Sequence, residues 1–173
     1  LAWKNSNGGT SLTLSPNEQV VYVGSGGSPT IAKLDSRGNT LWSEQIPNVE
    51  GLTVDSEGNL HVIARSNFNF ASGTGDFEMI KFDPSGKRVW TAIYDSPVRG
   101  IDSPTRLAVD SGNNVYVTGV SWNTSRPPLD GSDRSSFDIL TLKYDSAGQL
   151  VWTARFNGPG NGEDIPYDLA VDR

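Results

Sequence analysis

Hydrophobic residues in this chain come in runs of four to eight, each bounded by Asp, Gly, Asn or Ser. No stripe of helical spacing persists for ten residues, so the pattern predicts short strands joined by tight turns. It is clearest over 105–110, 115–120, 138–145 and 150–156, four predicted strands rich in β-branched and aromatic side chains. The turns at 110–113 and 145–148 open on Asp110 and Asp145. Aspartate can cap such a turn with its own carboxylate, and the Gly or Asn that follows supplies positive φ.

The same arrangement recurs. Lys-x-Asp-x-x-Gly-x-x-x-Trp is read at Lys33, Asp35, Gly38 and Trp42, at Lys81, Asp83, Gly86 and Trp90, and at Lys143, Asp145, Gly148 and Trp152. Leu-x-Val-Asp precedes it at 52–55 and 107–110, appears in weaker form at 12–15, and returns at 169–172. Trp3 fits the end of a further copy, which gives Trp-to-Trp spacings of 39, 48 and 62 residues. The units are therefore 10–46, 50–95 and 105–157, with 1–4 as the end of a preceding unit and 165–173 as the start of a following one.

A four-stranded unit of about 40 residues cannot bury both faces alone, and stacking such units around an axis is the β-propeller solution. The expected fold is all-β: a propeller segment of four-stranded antiparallel blades, about three complete with partial blades at both ends. Closed propellers have about four to eight blades, so this chain does not close a ring by itself. It reads as a segment of a longer protein, with assembly of several copies as the alternative. Each repeated Trp is expected to lie between adjacent blades, burying on the order of 200 Å².

Composition narrows the partners. The chain has 173 residues, a net charge of −6 and a pI near 4.7, which disfavours a phosphate backbone or an anionic membrane surface. With no cysteine it has no disulfide, thiolate metal site or cysteine nucleophile. No apolar run approaches the roughly 18 residues of a membrane span.

Candidate chemistry is sparse. His61 is the single histidine and aligns with Tyr116 in the next unit and Tyr22 in the earlier one, which points to a structural place within a strand. Asp35, Asp83, Asp145, Asp55 and Asp110 open turns, and Asp102 and Asp164 share a place five residues before Leu107 and Leu169. Carboxylates that recur in every unit suit a scaffold better than the unique acid and base pair of a glycosidase. Gly24 to Gly27 and Gly158 to Gly162 are glycine-rich, but neither opens a helix after a strand, as phosphate binding requires.

Interruptions of the repeat are more informative, because insertions project as loops. One is 121–136, with Trp122, Arg126, Asp130, Asp133 and Arg134 as ligand-binding candidates; the other is 67–75, with Phe68 and Phe70. An exposed Trp122 beside these charges would suit a sugar ring or a protein partner, whereas the alternative is a solvated hairpin loop with Trp122 packed on its own blade. Asp130, Asp133 and Asp138 offer oxygen ligands to Ca²⁺ but lack the alternating order of a dedicated calcium loop. Asn123-Thr124-Ser125 is a formal glycosylation sequon.

Residues 107–119, Asp-Ile-Leu-Thr-Leu-Lys-Tyr-Asp at 138–145 and Phe-Asn-Gly-Pro-Gly-Asn-Gly-Glu-Asp at 156–164 resemble the bacterial β-propeller repeats called SBBP repeats. The likeness spans nearly the whole chain and is strongest from Asp76 onward; in 10–48, Ser15 and Ser28 replace the repeat aspartates. The turn-and-Trp segment also looks like the tryptophan-docking motif of quinoprotein propellers, and Leu-x-Val-Asp-x-x-Gly-Asn looks like NHL repeats. The SBBP resemblance implies a secreted or surface-attached bacterial protein and brings no shared catalytic residues. The expected role is a non-catalytic scaffold or interaction module whose partners are other blades, other copies, a protein or a carbohydrate. The alternatives are a propeller enzyme, glycoside hydrolase or quinone-dependent dehydrogenase, with its active site in further blades, or a carbohydrate-binding propeller.

Overall fold

The computed structural model describes residues 12–14, 20–24, 30–69, 73–122, 137–160 and 162–172, with backbone alone for 12–14, 20–24 and residue 30. Twelve strands make up these residues: β1 Leu12–Leu14, β2 Val20–Gly24, β3 Thr30–Leu34, β4 Thr40–Gln45, β5 Val49–Val54, β6 Leu60–Asn69, β7 Thr74–Phe82, β8 Arg88–Tyr94, β9 Asp102–Val109, β10 Val115–Trp122, β11 Phe137–Tyr144 and β12 Leu150–Phe156. They form three antiparallel sheets, in the orders β1-β2-β3-β4, β5-β6-β7-β8 and β9-β10-β11-β12. Neighbouring sheets meet through their first strands, β1 near β5 and β5 near β9. The fold is the all-β, four-stranded blade architecture that the repeat predicts.

The repeated motifs fix the turns. In each of five described turns one carboxylate oxygen of the opening aspartate accepts the backbone N–H groups two and four residues on. Asp35 holds Arg37 and Asn39, Asp55 holds Glu57 and Asn59, and Asp83 holds Ser85 and Lys87. Asp110 holds Gly112 and Asn114, and Asp145 holds Ala147 and Gln149. The fourth turn residue has φ between +59° and +91° in all five, at Gly38, Gly58, Gly86, Asn113 and Gly148. That is why the motif reads Asp-x-x-Gly and why Asn is its one substitute.

The Lys-to-Trp spacing has an equally direct origin. Lys33 faces Trp42, Lys81 faces Trp90 and Lys143 faces Trp152 across the outer hairpin, and a register shift follows each lysine. The ten-residue string is thus one hairpin with one bulge, made three times.

Burial shows how the sheets stack. Between the first and second lies a core of Ile31, Ile46, Leu52, Leu60, Val62, Ala64, Ile80 and Phe82, flanked by Trp42. Between the second and third lies another, of Ile63, Phe77, Met79, Val115, Val117, Leu140, Leu142 and Tyr144, flanked by Trp90, Ala92 and Tyr94. Alternate residues of β6 feed alternate cores, so Leu60–Ala64 is buried without a break. β12, on the outer edge of the third sheet, is exposed along its whole length.

Residues 162–172 form no strand. The sequence pattern predicts the opening strand of a further blade at 165–173, but a strand needs a partner for its backbone groups and no neighbouring strand pairs with these residues. Residue 173 and the partial unit at 1–4 lie outside the described residues.

Candidate functional site

The feature repeated at each sheet interface is a tryptophan seated on the turn of the next sheet. A Cβ built on Gly86 would lie 2.7 Å from Cδ2 and Cγ of Trp42, and one built on Gly148 would lie 2.7 Å from Cδ2 of Trp90. Both glycines have positive φ, so backbone conformation and ring contact demand the same residue. Trp90 Nε1 donates to the Ser146 carbonyl in that turn at 3.2 Å. Trp42 stacks on Phe82 with ring centroids 5.7 Å apart, and Lys33 Nζ donates to the Pro84 carbonyl at 2.8 Å. The invariant spacing within one repeat therefore encodes a contact between two repeats.

Trp152 holds the same register with no sheet beyond it among the described residues. On this face of the third sheet Ile139 pairs with Phe156, Thr141 with Ala154 and Lys143 with Trp152. The equivalent pairs of the second sheet are Phe77 with Tyr94, Met79 with Ala92 and Lys81 with Trp90. There Phe77 and Met79 are each 1% exposed beneath the third sheet. Phe156 is 58% and Trp152 39% exposed. The outer face of the third sheet thus has the register of the covered face of the second, with its rings exposed.

Beside Trp90 and Trp152 lies a polar network that also repeats. His61 is fully buried, and its Nε2 meets Asp55 Oδ2 at 3.0 Å. Lys81 Nζ lies 3.5 Å from the same oxygen, and Asn59 Nδ2 donates to it at 2.9 Å. Burial pushes the Asp55 carboxyl up, but the bonds from His61 and Asn59 outweigh it and hold the group well below the usual carboxylate range. In the third sheet Tyr116 Oη donates to Asp110 Oδ2 at 3.1 Å, Asn114 Nδ2 donates to it at 2.8 Å, and the Lys143 ammonium lies 5.0 Å from the Tyr116 ring. Because Tyr116 takes the place of His61, the His–Asp pair is the second blade's version of a structural device; a triad would need imidazole.

The other sequence candidates separate. Trp122 is 2% exposed at the end of β10, edge-on to Phe137 with centroids 4.7 Å apart and closed off at Gly100, where an added Cβ would lie 2.6 Å from Trp122 Cβ. Of the two readings of Trp122 the structure has the packed one, not the exposed platform: the strand runs on to include it and the ring packs into its own sheet. Arg126, Asp130, Asp133, Arg134, Trp3 and Phe70 lie outside the described residues. Phe68 is covered by the Arg65 guanidinium, 4.1 Å from its ring centroid. Asp138 bonds Arg155 Nη1 at 3.2 Å. Asp102 and Asp164 do act alike, each closing the loop after an outer strand, β8 or β12, by accepting a backbone N–H from six residues before, Ser96 at 2.8 Å and Gly158 at 2.7 Å.

This is a β-propeller segment built from repeated blades. Residues 98–125 match the model of the SBBP family, a β-propeller repeat. Similar solved structures include hydrazine synthase of Kuenenia stuttgartiensis, at 15% identity and TM-score 0.57 over 83% of this chain and 40% of that one. BamB from Moraxella catarrhalis matches at 21% identity and TM-score 0.51, over 88% of this chain and 38% of that one. A eukaryotic initiation factor matches at 11% identity and TM-score 0.56, over 91% and 35%. The chain spans 40% or less of the length of these structures, and at such identities they speak for the fold alone. No curated protein matches the chain. No helix among the described residues is long and apolar enough to cross a membrane.

Proposed function

We propose that this chain is a non-catalytic scaffold segment of a larger extracellular or cell-surface bacterial propeller protein, and that its uncovered outer face receives a further blade. The observation that carries the reading is the Trp152 face, in register with the Trp90 face that the third sheet covers. What fits it is a sheet bringing an Asp-x-x-Gly turn under Trp152 and an alternating Leu/Val face over Ile139 and Phe156, as residues 107–109, 115–117 and 145–148 do for Trp90. The extracellular placement rests on the resemblance to SBBP repeats.

Replacing 158–173 with a second copy of 96–157 tests the docking. Repeat arrays gain stability from each nearest-neighbour interface, so the extended protein is expected to unfold in one transition at a higher urea midpoint and with a larger m-value. Two separate transitions, with the original segment unchanged, would overturn the reading.

A further inference from the structure

Three carboxylates gather at the junction of the second and third sheets: Asp76 near the start of β7, Asp95 just past the end of β8, and Asp102 at the start of β9. One oxygen from each lies within 4.8 Å of the others. Asp76 and Asp102 are buried and Asp95 is exposed. The backbone fixes the corner, because Gly75 bridges in parallel to Ile101 and Gly75 N donates to the Gly100 carbonyl at 3.3 Å.

The polar groups here are incompletely satisfied. Asp102 is 0% exposed; its Oδ2 accepts the Ser96 N–H, but its Oδ1 has no hydrogen-bond partner. Ser96 is 1% exposed, and its Oγ is also without a partner. Burial raises the Asp102 carboxyl above its ordinary value, and the nearby Ser121 and Ser96 groups and Arg155 only oppose that shift. Ser121 Oγ is engaged by Arg155 Nη2 at 2.6 Å, and Arg155 Nη1 by the Ser121 carbonyl and Asp138. Asn67 Nδ2 holds Asp76 Oδ2 at 2.6 Å. A buried carboxylate oxygen facing two more carboxylates is costly unless a cation joins them.

We propose that Asp76, Asp95 and Asp102 form a Ca²⁺ site, with Ser96 Oγ as a further oxygen ligand. Three oxygens spread evenly around one ion at about 2.3–2.6 Å stand roughly 4.0–4.5 Å apart, so a group gathered within 4.8 Å closes on Ca²⁺ with small side-chain shifts; Mg²⁺, at about 2.0–2.1 Å in strict octahedral geometry, suits an irregular carboxylate group less well. The third sheet supports the assignment by contrast. At the equivalent places it has Asp138, Asn157 and Asp164, so one carboxylate is lost, and Arg155 supplies a cation to Asp138. The ion would bind β7, the β8 end and β9 together, fastening one blade to the next.

The test is calorimetric titration of the chelator-treated full chain with CaCl₂ and, separately, MgCl₂, with melting temperature as a second readout. Expected are one saturable Ca²⁺ site, a rise in melting temperature with Ca²⁺, and at least tenfold weaker Mg²⁺ binding. Asp95→Asn, at an exposed position the fold does not depend on, is expected to weaken Ca²⁺ at least tenfold with an unchanged melting temperature in chelator. Asp102→Asn should abolish binding, whereas Asp168→Asn should not alter it. No saturable Ca²⁺ heat at millimolar concentration, or undiminished binding by Asp95→Asn, would overturn the proposal.

Discussion

Gly148→Ala isolates the contact that joins the blades. A Cβ at this position would sit 2.7 Å from Trp90 Cδ2, 2.9 Å from Cγ and 3.1 Å from Cε3, where ordinary carbon contacts are about 3.5–4.0 Å. The ring or the turn must shift by about 1 Å, and such overpacking costs about 1–3 kcal/mol. The backbone at φ +82° adds roughly 1–2 kcal/mol for any residue with a Cβ. The total is about 2–5 kcal/mol. Gly58→Ala separates the two contributions: its φ is +83°, but its nearest neighbour is Pro84 Cγ at 3.7 Å, so only the backbone component, roughly 1–2 kcal/mol, is expected. Urea unfolding of both variants, and of Gly148→Ala in a Trp90→Ala background, completes a double-mutant cycle. Removing the ring should relieve the clash and leave a coupling of about 1–3 kcal/mol. Equal losses for Gly58→Ala and Gly148→Ala, with no coupling to Trp90, would refute the docking argument.

Asp55→Ala strands His61 and Lys81 in the core and is expected to cost about 3–5 kcal/mol in urea unfolding. Because the folded Asp55 carboxyl sits below its ordinary value, its contribution is complete above that value and is lost as pH falls from about 4. Between pH 6 and 2 the urea midpoint of the native chain should fall more steeply than that of Asp55→Asn. Gly119→Ala would put a Cβ 2.1 Å from the Ser103 carbonyl oxygen, at the register shift between β9 and β10. Backbone cannot yield as a side chain does, so loss of cooperative unfolding in circular dichroism is expected. The Arg88–Glu44 pair spans two blades but is exposed, and Glu44→Gln should change stability by less than about 1 kcal/mol.

Much of the architecture was legible because the repeat encodes local chemistry. Asp35, Asp83 and Asp145 each cap a turn and Gly38, Gly86 and Gly148 each take positive φ, so the spacing of the string is the geometry of a hairpin. Residues 60–64 read as a strand for the same reason, although their alternation is hidden by cores on both faces. Trp122 left two readings open, because an aromatic at the edge of a polar insertion fits either an exposed platform or a packed ring, and the approach of Gly100 and Phe137 is what buries it. The acidic corner left no motif. Asp76, Asp95 and Asp102 come from the ends of three strands, and nothing in their spacing shows that the Gly75–Ile101 bridge draws two of those ends together. A comparison of repeats offered the available signal: Asp95 stands where the third unit has Asn157, and Ile93 where it has Arg155.

The central claim is that the Trp152 face is covered in the native protein as the Trp90 face is within this chain. Hydroxyl-radical footprinting of the protein from its source, read residue by residue by mass spectrometry beside the isolated 173-residue chain, tests it most directly. Covered rings are shielded from the radical, so Trp152 and Phe156 should react readily in the isolated chain and fall to the level of Trp90 and Tyr94 in the native protein. Equal reactivity of Trp152 and Phe156 in both would contradict the account.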